Sequence, residues 1–173
     1  MVISKECLGL AAEFAVASEL CRRGVYAQLT LGNRKRTDLL VDAEAGTMLR
    51  IQVKAKQGRE WPGVRGVPGS AIVLVLVDFE KKSLSDRPDF YILRPRDWAA
   101  LIKKLLITTG RVAKGEVKIT DDNVPVWRDS YVGTGIKPEH VLKFRDAWDN
   151  LIQLTAAPAN NAVHRTRKKA ARR

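Results

Sequence analysis

The stretch AIVLVLVDF, Ala71 to Phe79, constrains this chain more than any other part of it. Seven apolar residues run unbroken from Ala71 to Val77, with no polar position at helical or alternating spacing. A segment of that length and β-branched character is a strand covered on both faces. It falls far short of the roughly 20 apolar residues of a membrane helix. The chain therefore builds layers on each side of a sheet, and its 173 residues suffice for one domain with a tail.

The flanking patterns supply those layers. Ser4 to Arg23 reads as an amphipathic helix, with Leu8, Ala11, Ala12, Ala15, Val16 and Leu20 recurring and Gly24 at its end. Lys5, Glu6, Glu13 and Glu19 make this segment unlike a signal peptide. Val25 to Leu31 alternates like a strand, and Gly32-Asn33 marks a turn. Thr37 to Val41 and Met48 to Ala55 read as a hairpin around a glycine turn. Gln57 to Ser70 holds four glycines, two prolines and Trp61, and reads as a long irregular loop. Asp89 to Leu93 is a further strand, Pro95 to Ile107 a helix and Gly115 to Thr120 a short strand. From Pro138 a last helix places Val141, Phe144, Trp148 and Leu151 on one apolar stripe, as core. The fold class is mixed α/β or α+β, with residues 1–154 as one domain around a central sheet.

Charge points to the partner. Lys and Arg number 31 against 19 Asp and Glu, a formal charge of +12. Half of that excess lies in residues 155–173, read as a disordered basic tail that includes Arg165, Arg167, Lys168 and Lys169. Such a tail attracts a phosphate backbone by counterion release, and otherwise serves only as a solubilising terminus. Cys7 and Cys21 sit fourteen positions apart on one helix, roughly 21 Å, too far for a disulfide. They read as buried, reduced thiols suited to a cytoplasmic protein, and with only His140 and His164 they make no zinc site.

Four polar residues fall where chemistry is possible. Asp38 begins the second strand, Gln52 and Lys54 lie two apart on the third and share a face, and Glu13 interrupts the apolar side of the first helix. With the first helix covering that face, the four converge. A divalent cation held by oxygen ligands would offset the cost of burying these groups. A buried Asp38–Lys54 ion pair with Gln52 as hydrogen-bond partner would do so equally, and the spacing leaves both readings open.

The pattern Gly9-x-x-x-Glu13, Leu20, Gly24, Thr37-Asp38-Leu39-Leu40-Val41 and Ile51-Gln52-Val53-Lys54 resembles the PD-(D/E)XK nuclease superfamily. It is most similar to the small branch of Holliday-junction-resolvase-like and homing-endonuclease-like proteins. The resemblance covers Ser4 to Lys56 and extends weakly to Phe90-Tyr91-Ile92-Leu93 and Arg145-Asp146-Ala147-Trp148. It implies a restriction-endonuclease-like αβββαβ core with a central mixed sheet flanked by helices. It also implies a metal-dependent endonuclease acting on DNA, with branched DNA or RNA as other substrates. Asp38, Gln52 and Glu13 would hold Mg²⁺ or Mn²⁺, and Lys54 would be the catalytic lysine. Thr37 replaces the motif's proline, and Gln52 stands where most members carry an acid, so a fold that binds nucleic acid without turnover is the alternative. Further contacts to phosphate fall on Arg34, Lys35, Arg36, Lys56, Arg59 and Arg65, and Trp61 either stacks a base or anchors its loop. A homodimer is compatible with cutting two strands, although no interface is legible.

Overall fold

The computed structural model describes residues 3–30, 37–43, 47–67 and 72–155. Helix α1 (Lys5–Cys21) starts where the Ser4 hydroxyl accepts from the Cys7 N–H at 3.3 Å. It stops at Gly24, whose φ of +77° lets the Val25 N–H return to the Leu20 carbonyl. The sequence then runs through β1 (Ala27–Leu29), β2 (Leu39–Ala43), β3 (Thr47–Lys56), β4 (Trp61–Val64), β5 (Ile72–Asp78) and β6 (Asp89–Leu93). Helix α2 (Pro95–Ile102) follows and continues as a π-helical turn over Lys103–Ile107. Then come β7 (Val117–Ile119), β8 (Pro125–Trp127), β9 (Thr134–Ile136), α3 (Pro138–Val141) and α4 (Asp149–Thr155).

Five strands form the central sheet in the order β1-β2-β3-β5-β6, antiparallel except for the parallel pair β3 and β5. This is the mixed sheet with flanking helices that the pattern predicts. Every residue of β5 is buried. Val73, Val75 and Val77 pack with Ala12, Val16 and Leu20 of α1 and Leu151 of α4. Leu74 and Leu76 pack on the other side with Trp61, Trp98, Leu101 and Ile136.

Three parts differ from the sequence expectation. The connection from β3 to β5, expected to be irregular and in an αβββαβ core to carry a helix, contains strand β4 and no helix among the described residues. Pro62 and Gly63 hide β4 in the sequence, and the partner that makes it a strand, β9, lies far along the chain. Helix α2 covers this face instead. The last helix is not continuous. After α3 the chain makes a 3₁₀ turn at Leu142–Phe144, passes Asp146 with φ of +49°, and only then enters α4. Arg145 bridges Tyr91 and the Asp146 N–H donates to the Phe90 carbonyl at 2.8 Å, so this segment crosses the open edge of β6. Val141 and Phe144 therefore pack on the α2 side, and Trp148 and Leu151 on the α1 side. Finally, Cys7 and Cys21 are exposed free thiols, because the core stripe of α1 runs through Ala12, Val16 and Leu20 on the opposite side.

One ionic clamp ties these layers together. Glu19 on α1 is 5% exposed and receives Arg87 Nε at 3.0 Å and Nη2 at 2.9 Å, with Arg23 beside it. Arg87 also donates to Asp146 at 2.8 Å. The Arg87 hydrogen bonds, supported by Arg23 against the opposing effect of burial, pull the Glu19 carboxyl down to about 2. A folded-state value below the unfolded one stabilises above about pH 4.3, and that stability is lost as pH falls toward 2. Because Arg87 is 41% exposed and screened, we expect Glu19→Gln to cost about 2 kcal/mol at pH 7, less than the full shift implies. In denaturant titrations at pH 7 and pH 2.5 the difference between the two proteins should shrink at the lower pH, and an equal difference would refute the clamp.

Candidate functional site

The β2–β3 hairpin positions the central residue. Register pairs Leu39 with Ile51, so β2 begins late and Val53 to Lys56 have a strand partner only in β5. Asp38 sits just before β2, and its backbone N–H donates to the Ile51 carbonyl at 2.9 Å. Its carboxylate folds back along β3, where Oδ2 accepts from the Val53 N–H at 2.6 Å. Two backbone-anchored bonds thus fix Asp38 at the notch where the hairpin ends, and Oδ1 makes no hydrogen bond among the described residues.

That notch opens into a cleft of about 600 Å³ lined by Asp38, Glu13 and Lys54. Lys5, Leu8 and Gly9 of α1 form one wall, and Gln57, Gly58, Glu60 and Pro62 after β3 form another. Burial raises the pKa of Glu13, the Asp38 charge raises it further, and Lys54 acts in the opposite direction. Two carboxylates and an ammonium from three separate segments therefore share one electrostatic neighbourhood. Among the described residues, no group of three or more His, Cys, Asp or Glu side chains is arranged to hold a metal ion.

Of the other expected site residues that are described, only Lys56 borders the cleft. Ile51 and Val53 of β3 point to α1, while Gln52, Lys54 and Lys56 pair with Leu74, Leu76 and Asp78 of β5 on the other face. The first helix thus does not cover the Gln52–Lys54 face, because its small apolar stripe takes the aliphatic side of β3. Gln52 is buried and is not part of the cleft lining. Lys54 still reaches the cleft because the edge of β3 is unpaired there.

Lys56 is not a free phosphate contact. It is 2% exposed, and its Nζ lies 2.7 Å from Asp78 and 2.9 Å from both Glu80 and the Gly58 carbonyl. Trp61 is also buried. Its Nε1 donates to the Val77 carbonyl at 3.0 Å and its ring meets Tyr91 edge-on at 5.5 Å, so it anchors the loop and stacks no base. Arg59 and Arg65 are exposed and line no part of the cleft. Arg34, Lys35, Arg36, Arg165, Arg167, Lys168 and Lys169 lie outside the described residues. Gln57 and Glu60 belong to the segment after β3 that the sequence places near the site, whereas Lys5 is an addition of the structure. Lys5 was legible, since Lys5, Leu8, Gly9 and Glu13 follow helical spacing on one side of α1.

No protein-family profile and no curated protein sequence matches this chain. Among solved structures, a bacterial homing endonuclease is similar with a TM-score of 0.47 and 20% identity, over 87% of this chain and 94% of that one. That degree of likeness transfers neither fold nor activity.

Gly9 gives the cleft wall a measurable signature. A Cβ there would meet nothing within 4 Å, although glycine weakens a helix by about 1 kcal/mol relative to alanine. Gly9→Ala is therefore expected to raise the melting temperature by about 2–4 °C. A lower melting temperature would mean that this wall is closed rather than open.

Proposed function

We propose that this protein is a metal-dependent endonuclease that hydrolyses DNA phosphodiester bonds in the cleft of Glu13, Asp38 and Lys54. The observation that carries the reading is the meeting of those three side chains, from α1, the start of β2 and β3, at one notch. A basic chain of formal charge +12 supports a polyanionic substrate.

The donor set fits a hard divalent cation. Burial, and then the Asp38 charge, raise the cost of ionising Glu13, which a cation would relieve. Asp38 through Oδ1 and Glu13 would hold Mg²⁺ or Mn²⁺, with water completing the shell. Such an ion supplies charge neutralisation at the phosphate and a more acidic water. Asp38 is held still by the Val53 N–H, so its free oxygen needs little reorganisation. Lys54 places a positive charge beside both carboxylates, where it would orient a phosphate oxygen or the attacking water. Lys5, at the first turn of α1 on the cleft rim, would steer the backbone in.

One observation favours a second reading. Gln52 is neutral and is not part of the cleft lining, so of the three expected ligands the two carboxylates Asp38 and Glu13 are the ones in the cleft. A protein of this fold that binds nucleic acid without turnover would show salt-dependent binding and no metal-dependent product.

Incubation with plasmid and branched DNA in Mg²⁺ tests both. Cleavage should stop with chelator and fall by roughly 10²–10³-fold in Asp38→Ala and in Lys54→Ala. Cleavage at the wild-type level in both substituted proteins would exclude this cleft as the active site. Binding without any product would establish the second reading.

A further inference from the structure

A second groove adjoins the cleft. Glu60 lines both, and beyond it a concavity of about 640 Å³ runs between the π-helical turn, the β7–β8 hairpin and β9. Arg111, Lys114, Glu116, Trp127 and His140 are among its walls. Nothing in the sequence pattern marks this groove, since its residues come from four separate segments.

We propose that this groove carries the DNA strand leaving the cleft, with Arg111 and Lys114 as its phosphate contacts. The proposal rests on the nuclease reading for the direction of the strand, and on its own geometry for the binding. Arg22, Arg23, Arg87, Arg94 and Arg145 are each neutralised by a carboxylate. Arg111 and Lys114 are exposed and make no ion pair among the described residues. Arg111 does not dangle. Its guanidinium lies 5.5 Å from the centre of the Trp127 ring, and Trp127 is itself held by a 2.7 Å bond from Nε1 to the Gly133 carbonyl.

The lining sets Arg111 and Lys114 beside two carboxylates, Glu60 and Glu116, neither of which pairs with them. Lys118 of β7 and Arg128, whose N–H donates to the Glu116 carbonyl at 3.1 Å, are neighbours in the chain that do not line the groove. Glu60 also lies flat against β9, where a Cβ on Gly135 would come within 2.9 Å of its carboxylate. Two cations without carboxylate partners, one of them oriented by Trp127, in a groove that shares Glu60 with the cleft, suit a phosphate backbone, which needs charge without base contacts.

The test is fluorescence anisotropy of the full chain with labelled single-stranded and duplex DNA of about 20 residues per strand, a length beyond a single strand-binding site, in chelator and over a range of salt. Arg111→Gln with Lys114→Gln should weaken binding about tenfold or more and flatten the slope of log K against log salt by about 1.5. The control pair Lys81→Gln with Arg96→Gln removes equal charge from exposed positions elsewhere and should change binding less than threefold. Unchanged affinity and slope in the first pair, or equal losses in both pairs, would overturn the proposal. Thermal melts confirm folding, and if the double variant does not fold, the single Arg111→Lys variant reads the groove instead, with a smaller loss expected and no loss counting against it. If binding falls in the first pair while no DNA is ever cut, the groove stands and the nuclease reading fails. If DNA is cut while binding is unchanged, the groove alone fails. A wild-type chain that binds no DNA removes both.

Discussion

The rest of the molecule depends on a strand with no solvent face. Ile72 to Asp78 is buried throughout, so its valines and its leucines each require an apolar layer. Helices α1 and α4 supply the first layer. The second is built from α2, Trp61 of β4, and Ile136 of β9, which lie far apart in the chain. The parallel pairing of β3 with β5 then places Gln52, Lys54 and Lys56 beside leucines and Asp78 rather than under α1. Most of what the site can do follows from that pairing.

Burying β5 to its last residue brings a charge inside. Asp78 is 6% exposed, and the register sets it beside Lys56, so two ions that would each be costly alone are paired. Lys56 also donates to Glu80 and to the Gly58 carbonyl, and its ammonium lies 4.9 Å from the Trp61 ring centre. These bonds order the segment after β3 that forms one wall of the cleft. On the other side of the sheet, Glu19 and Arg87 join α1 to the turn between β5 and β6 in the same way. In both places a buried charge acts as a fastener between elements, and the side chains that serve it are withdrawn from solution chemistry.

The cleft exists because two neighbouring strands end at different heights. β2 starts opposite Ile51, while β3 continues to Lys56, and the uncovered edge lets groups from both sides of the sheet meet. Asp38 caps that edge by taking the Val53 N–H, which would otherwise lack a partner on that side. Glu13 approaches from α1 and Lys54 from the opposite face. An arrangement of this kind concentrates charge at a strand end, where backbone groups are already short of partners.

Much of this was legible in the sequence. The aliphatic run of β5, the hairpin of β2 and β3, helix α1 with its glycine stop and the strand Asp89–Leu93 follow from local periodicity and turn chemistry, which neighbouring residues determine among themselves. The candidacy of Glu13, Asp38 and Lys54 was legible too, because a polar residue on an apolar face stands out in any context. Tertiary structure alone decided which face of β3 meets α1, because alternation shows that Gln52 and Lys54 share a side without naming the side. It decided that Lys56 is an internal ion and not a surface cation, since that depends on a register with Asp78 set by long-range pairing. It also decided that Val141, Phe144, Trp148 and Leu151 divide between two layers. Helical spacing records only that each is buried, and burial against one layer or another depends on where the chain crosses the edge of the sheet.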